Sequence, residues 1–161
     1  MKAEDVRDKV RGWVASVIGI ETIHAFPNAD APREPYAVVQ RVMSGPVHAN
    51  PAGEDFPTDG AGKITQAPLI ETYWRFMVDV FGPDAEDHLQ RLVSAANVPT
   101  TLFGLRPLVL FETARITSET EIRDQAFKGR ANTTIEVRGM VRDGFVVNVI
   151  EQQTPEFTPV S

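Results

Sequence analysis

The chain has 161 residues, 42% of them hydrophobic and 24% charged, the size and composition of one globular domain that closes its own core. It contains no cysteine, which excludes a disulfide framework, a thiolate metal site and a thiol nucleophile. Sixteen Lys and Arg against 22 Asp and Glu leave a formal charge of −6, the wrong sign for wrapping a phosphate backbone.

The opening segment, Met1 to Arg11, is charged and carries no apolar run of signal-peptide length, and no stretch approaches the ~20 apolar residues of a membrane span. The expectation is a protein made and used in water. Val6, Val10, Trp13, Val14, Val17 and Ile18 recur at helical spacing and predict an amphipathic helix over Ala3 to Ile18, stopped by Gly19. A short strand follows from Ile20 to Phe26, then a turn-rich segment from Pro27 to Pro35. Tyr36 to Met43 reads as a strand. Ser44 to Pro68, broken by repeated Gly and Pro, reads as a long exposed loop or an extended hairpin arm.

The clearest strand is Leu69 to Phe81. Ile70, Thr72, Trp74, Phe76, Val78 and Val80 make an apolar face, while Glu71, Tyr73, Arg75, Met77 and Asp79 make a mixed one. Gly82-Pro83 breaks it, and Pro83 suits the first position of a second helix whose first turn holds Asp84, Glu86 and Asp87. Ala85, Leu89, Leu92, Val93 and Ala96 are its expected buried stripe, and Asn97-Val98-Pro99 its end. After turn residues Thr100 to Pro107, Leu108 to Thr117 reads as a strand and Ser118 to Arg130 as a loop or short helix. Ala131 to Val141 regains strand alternation, and Asp143-Gly144 signals a hairpin with Phe145 to Ile150 as its return strand. The fold class is α+β: a mainly antiparallel sheet with two helices on one face, in a single domain over residues 1–150 with an extended tail over 151–161.

No catalytic or metal-binding pattern stands out. His24, His48 and His88 fall on three different elements without ligand spacing, and Gly60-Ala61-Gly62-Lys63 lacks the spacing and hydroxyl residue of a phosphate loop. Asp84, Glu86 and Asp87 serve a helix dipole, and Tyr73, Trp74 and Phe76 alternate between faces with no basic interleaving for base stacking. No enzyme activity, cofactor or metal is expected. The mixed sheet face and the long segment suit contact with another subunit instead, and the candidate interface residues are Arg41, Val47, Phe56, Lys63, Tyr73, Arg75, Met77, Asp79 and Arg138.

The order of these elements, with particular short words, resembles the tail terminator (neck terminator) proteins of long-tailed bacteriophages. The words are the first helix ending near Ile18, the run Ala25-Phe26-Pro27-Asn28-Ala29-Asp30-Ala31-Pro32 leading to Pro35-Tyr36-Ala37, the strand Phe76-Met77-Val78-Asp79-Val80-Phe81-Gly82 feeding a helix, and the Arg130 to Val141 strand with its final hairpin. The resemblance implies a virion subunit, assembled in the host cytoplasm, that forms a homohexameric ring at the head-proximal end of the tail tube. Its implied partners are the tail tube protein and a head-tail connector or stopper protein, with DNA passing through the channel without specific binding. Alternatives are another head-tail adaptor or completion protein, or a small hydrolase or ligand-binding domain.

Overall fold

The first helix forms where its apolar stripe predicts. In the computed structural model, which describes residues 2–25, 30–58, 60–123 and 126–146, α1 spans Ala3–Ile18 and buries Val6, Val10, Trp13, Val14, Val17 and Ile18. Its Asp5 carboxylate accepts the backbone N–H of Lys2 at 3.2 Å, and Gly19 ends it at φ 71°, a left-handed conformation that costs glycine nothing.

Strand β1 (Glu21–His24) runs parallel to β2 (Tyr36–Pro46), which pairs antiparallel with β4 (Thr65–Phe81). β4 pairs along thirteen register positions with β7 (Ala126–Arg142), from Leu69 opposite Arg142 to Phe81 opposite Arg130. The sheet order is β1-β2-β4-β7-β5, where β5 is Val109–Thr113; β6 (Thr117–Arg123) also pairs with β7, beyond β5. The apolar face of β4 is the core. Trp74, Phe76, Val78 and Val80 meet Ala37 and Val39 of β2, Ala131, Ile135 and Val137 of β7, and the buried stripes of both helices. Each such side chain contributes about 1.5–3 kcal/mol on leaving water. The buried Trp13 ring satisfies its one polar atom by donating Nε1–H to the Thr101 carbonyl at 2.9 Å.

Several elements differ from the sequence expectation. The second helix, α2, spans Ala85–Ala95 and does not begin at Pro83; Pro83 and Asp84 form the turn out of β4, with Asp84 at φ 58°. Its buried stripe is Ala85, Leu89, Leu92 and Ala95, whereas Val93 and Ala96 are half-buried. Residues expected as turns form a 3-10 helix, Pro99–Leu105, which packs against α1 and buries Leu105. Ser118 to Arg130 is neither loop nor helix but β6 and the start of β7. β6 carries polar residues because it lies at the sheet edge with its side chains largely exposed, so no apolar alternation marks it.

The expected terminal hairpin is also replaced. β8 (Phe145–Val146) does not fold back on β7; it continues β7 in the same register along β4, with Phe145 opposite Gln66 and Val146 opposite Thr65. The gap in the ladder falls where Pro68, with no N–H to donate, would meet Asp143. Residues 147–161, covering the rest of the expected return strand and the tail, lie outside the described residues, as does Phe26.

The segment Ser44 to Pro68 is largely paired. β2 and β4 stay in register out to Pro46 opposite Thr72, β3 (Gly53–Asp55) pairs with β4 at Leu69 to Ala67, and an isolated bridge joins Thr58 to Ile64. The result is an arm extending past the helices. A bulge between Arg41 and Met43 inserts one extra residue, so Met43 turns to the side opposite Arg41 and lies beside Arg75.

The turn after β4 needs glycine. Gly82 has φ 109°, its N–H donates to the Gly129 carbonyl at 3.0 Å, and a Cβ there would sit 3.2 Å from the Pro35 backbone. Among the described residues, no helix is long and apolar enough to cross a membrane.

Candidate subunit interface

The second face of the sheet is a lattice of charged pairs. Tyr73, Arg75, Met77 and Asp79 alternate along β4, and across the ladder they meet Arg138, Glu136, Thr134 and Asn132 of β7. At its centre the Glu136 carboxylate is clasped from two sides: Arg75 Nε donates to one oxygen at 2.8 Å and Arg138 Nε to the other at 2.9 Å. Burial opposes ionisation of Glu136, but these two hydrogen bonds and the guanidinium charges outweigh it and hold the carboxyl below its usual value. The same bond to Glu136 raises Arg75 above the ordinary arginine range.

A second cluster lies toward the helical end of the sheet. Arg130 donates from Nε and Nη2 to one oxygen of the buried Asp79, at 3.1 and 2.8 Å, and from Nη1 to Glu121. Its guanidinium also lies over the Phe81 ring, which stacks on Tyr36 at 5.0 Å between centroids.

The candidate residues therefore separate. Tyr73, Arg75, Met77 and Arg138 share one exposed or half-buried surface. Asp79 lies on the same face but is buried under Arg130, so its carboxylate holds the sheet together and is not presented to a neighbour. Val47, Phe56 and Lys63 belong to the arm; Val47 N–H donates to the Glu71 carbonyl at 2.8 Å and Phe56 is exposed. Arg41 is on neither surface. It lies on the helix side of β2, in a cavity of about 480 Å³ shared with Glu4, Arg7 and His24.

Sequence reasoning passed over Glu136, Arg130, Val109, Phe111 and Met140. Thr134, Glu136, Arg138 and Met140 alternate with the buried side of β7, a period-two signal already present in the sequence. Phe111 carried no such signal, because a bulge between Leu110 and Glu112 breaks the β5 register. Its ring lies beneath the Arg138 guanidinium, 3.2 Å from the centroid.

The histidines do not converge. His24 bonds Asp8 at 2.7 Å, tying β1 to α1, and His48 stands 3.6 Å from Glu71 on the arm. No group of three or more potential metal-ligating side chains is found among the described residues. The central carboxylates, Glu136 and Asp79, are already bonded to guanidinium groups, an arrangement suited to a fixed contact surface.

Acid should destabilise the fold at two places, the Asp8–His24 tie between α1 and β1 and the Glu136 clasp on this face. The hydrogen bond from His24 holds Asp8 below its usual pKa, and Glu136 is likewise depressed, so both contribute stability that is complete above the ordinary carboxylate range and is lost as pH falls through their lowered values. The urea midpoint is expected to hold between pH 7 and about 5 and to fall below about pH 4. Glu136→Gln should start lower at pH 7 and lose less on acidification; an unchanged slope would remove Glu136 from this account.

The fold is shared with a sheath/tube terminator of known structure. The chain matches the sheath/tube terminator of PVC, an extracellular contractile injection system seen by cryo-EM in its extended state, with a TM-score of 0.52 at 12% identity. The match covers 98% of this chain and 66% of that one, so this chain spans just under two thirds of that terminator's length, and at this identity the likeness defines the fold. No curated protein matches the chain in sequence. The phage neck terminator protein family matches residues 4–159, and the chain belongs to that family. The resemblance read from the sequence holds: the family is that of phage neck terminators, a structural family.

Proposed function

We propose that the protein assembles as a homohexameric ring on the head-proximal end of the tail tube, ends tube polymerisation there, and joins the tail to the head connector or stopper. Assembly takes place in the host cytoplasm, and the ring has no catalytic activity. A closed ring of heterologous contacts leaves no open end from which growth continues, which is the geometry a terminator requires. The observation that carries the reading is the exposure of large apolar side chains along the arm and sheet edge of an otherwise acidic chain: Val42, Met43, Phe56, Phe111, Met140 and Phe145. Such side chains mark contact surfaces when they cluster. The guanidinium-clasped face around Tyr73, Arg75, Met77 and Arg138 supplies a preorganised polar surface beside them. The acidic balance suits a channel through which DNA slides without being held.

The decisive measurement is native mass, with and without the tube protein, followed by negative-stain imaging. Six copies of the 17.8 kDa chain give about 107 kDa and a ring, and adding the ring to polymerising tubes should arrest their elongation. A chain that stays monomeric with its tube protein and leaves tube length unaltered would overturn the reading.

A further inference from the structure

The edge of the sheet at β5 has a shape and composition that the ring reading does not use. Among the described residues no strand pairs with the outer side of β5, which is the last strand of the sheet path. Val109 is 63% exposed and Phe111 is 56% exposed, although both are apolar. Two cavities, of about 520 and 320 Å³, share Pro107 and Val109 and flank this edge, one on the helix side beside Leu108 and Leu110 and one on the opposite face beside Phe111 and Arg138. Arg106 stacks over Phe103 in the first, and Arg138 over Phe111 in the second. Aromatic side chains paired with arginine beside an apolar edge are what concentrated protein-binding sites are made of. The carboxylate lining the second cavity, Glu71, already faces His48.

The complementary sequence is in the chain itself. Residues 147–161 open with Val147, Val149 and Ile150, continue to Glu151 and Glu156, and contain no Lys or Arg. Apolar β-forming residues followed by carboxylates match an apolar edge flanked by two arginines. β8 ends at Val146 beside Thr65, about 26 Å along β7 from Arg138 and directed away from β5. The following segment, which spans up to about 50 Å when extended, would have to reverse direction to reach its own β5. A neighbouring copy could present its segment to this edge without that reversal.

We propose that the β5 edge receives residues 147–161 of a neighbouring copy as an added extended strand, with Val147 and Val149 on the face of Val109 and Phe111, Ile150 on the opposite face beside Leu110, and the carboxylates toward Arg106 and Arg138. Each copy would give one segment and accept one, the head-to-tail pattern that closes a ring. This inference rests on the ring reading, which it deepens by naming a contact.

The absence of native cysteine makes the test direct. Full-length Val109→Cys and Val149→Cys chains, one carrying a mass tag, are mixed under conditions where native mass shows assembly and are oxidised; Val109→Cys/Val149→Cys in one chain serves as the control for contact within a copy. A mixed disulfide between the two single variants, at least roughly tenfold above either symmetric dimer, is expected. Symmetric dimers at equal yield, a crosslink confined to single copies of the double variant, or no crosslink in an assembled ring each overturns the strand exchange while leaving the ring intact. Failure of the unmodified chain to assemble at all sinks both.

Discussion

Phe76→Ala is expected to lower the unfolding free energy by about 3–5 kcal/mol, a large fraction of the roughly 5–15 kcal/mol of a typical domain. Phe76 is fully buried at the middle of β4, directly opposite Ile135 of β7, within the cluster that joins both helices to the sheet. Removing the ring loses its transfer free energy and leaves a cavity that strands fixed on both sides cannot collapse to fill. Urea unfolding followed by circular dichroism measures the loss. Phe76→Leu, which keeps most of the volume, should recover more than half of it; a loss below about 1 kcal/mol for the alanine variant would mean that this position is not the centre of the core.

The second large effect is expected at Arg130. Arg130→Met should cost about 3 kcal/mol, because the Asp79 side chain, only 7% exposed, then keeps its charge without the guanidinium that compensates it. Adding Asp79→Leu in the same chain should restore much of the loss, since an apolar pair of similar volume removes the orphaned charge with its partner. Arg130 also bonds Glu121 and lies over Phe81, so recovery will be incomplete. The comparison requires all four chains of the double-mutant cycle. If Arg130→Met costs the same whether position 79 is Asp or Leu, the pair contributes no coupling and the loss belongs to the Phe81 and Glu121 contacts.

The arm and the charged face have a common physical origin for being harder to read than the core. Where helices cover the sheet, apolar and polar residues must alternate, so β4 and β7 show their faces in sequence. Beyond the helices β2 and β4 remain paired with both sides accessible, and Ser44 to Pro68 shows no alternation even though much of it is strand. The same applies to β6, whose Thr117 to Ile122 segment looks like a charged loop until β7 is placed beside it. Bulges compound the difficulty: the one after Arg41 moves Met43 to the other face and leaves Arg41 on the helix side, away from the residues grouped with it.

The sequence by itself determined the α1 stripe and its Gly19 stop, the two faces of β4, the α+β class and, through the order of its short words, the terminator family. These follow from local chemistry: periodic burial, chain-breaking residues and strand alternation are written within a dozen neighbouring positions. Only the tertiary structure decided that Glu136 is held between Arg75 and Arg138, that Asp79 is buried under Arg130, and that Phe111 lies beneath Arg138 at an open edge. Those partners stand up to 61 positions apart, as Arg75 and Glu136 do, and strand register sets their meeting. A shift of register by one residue would turn every one of them to the opposite face.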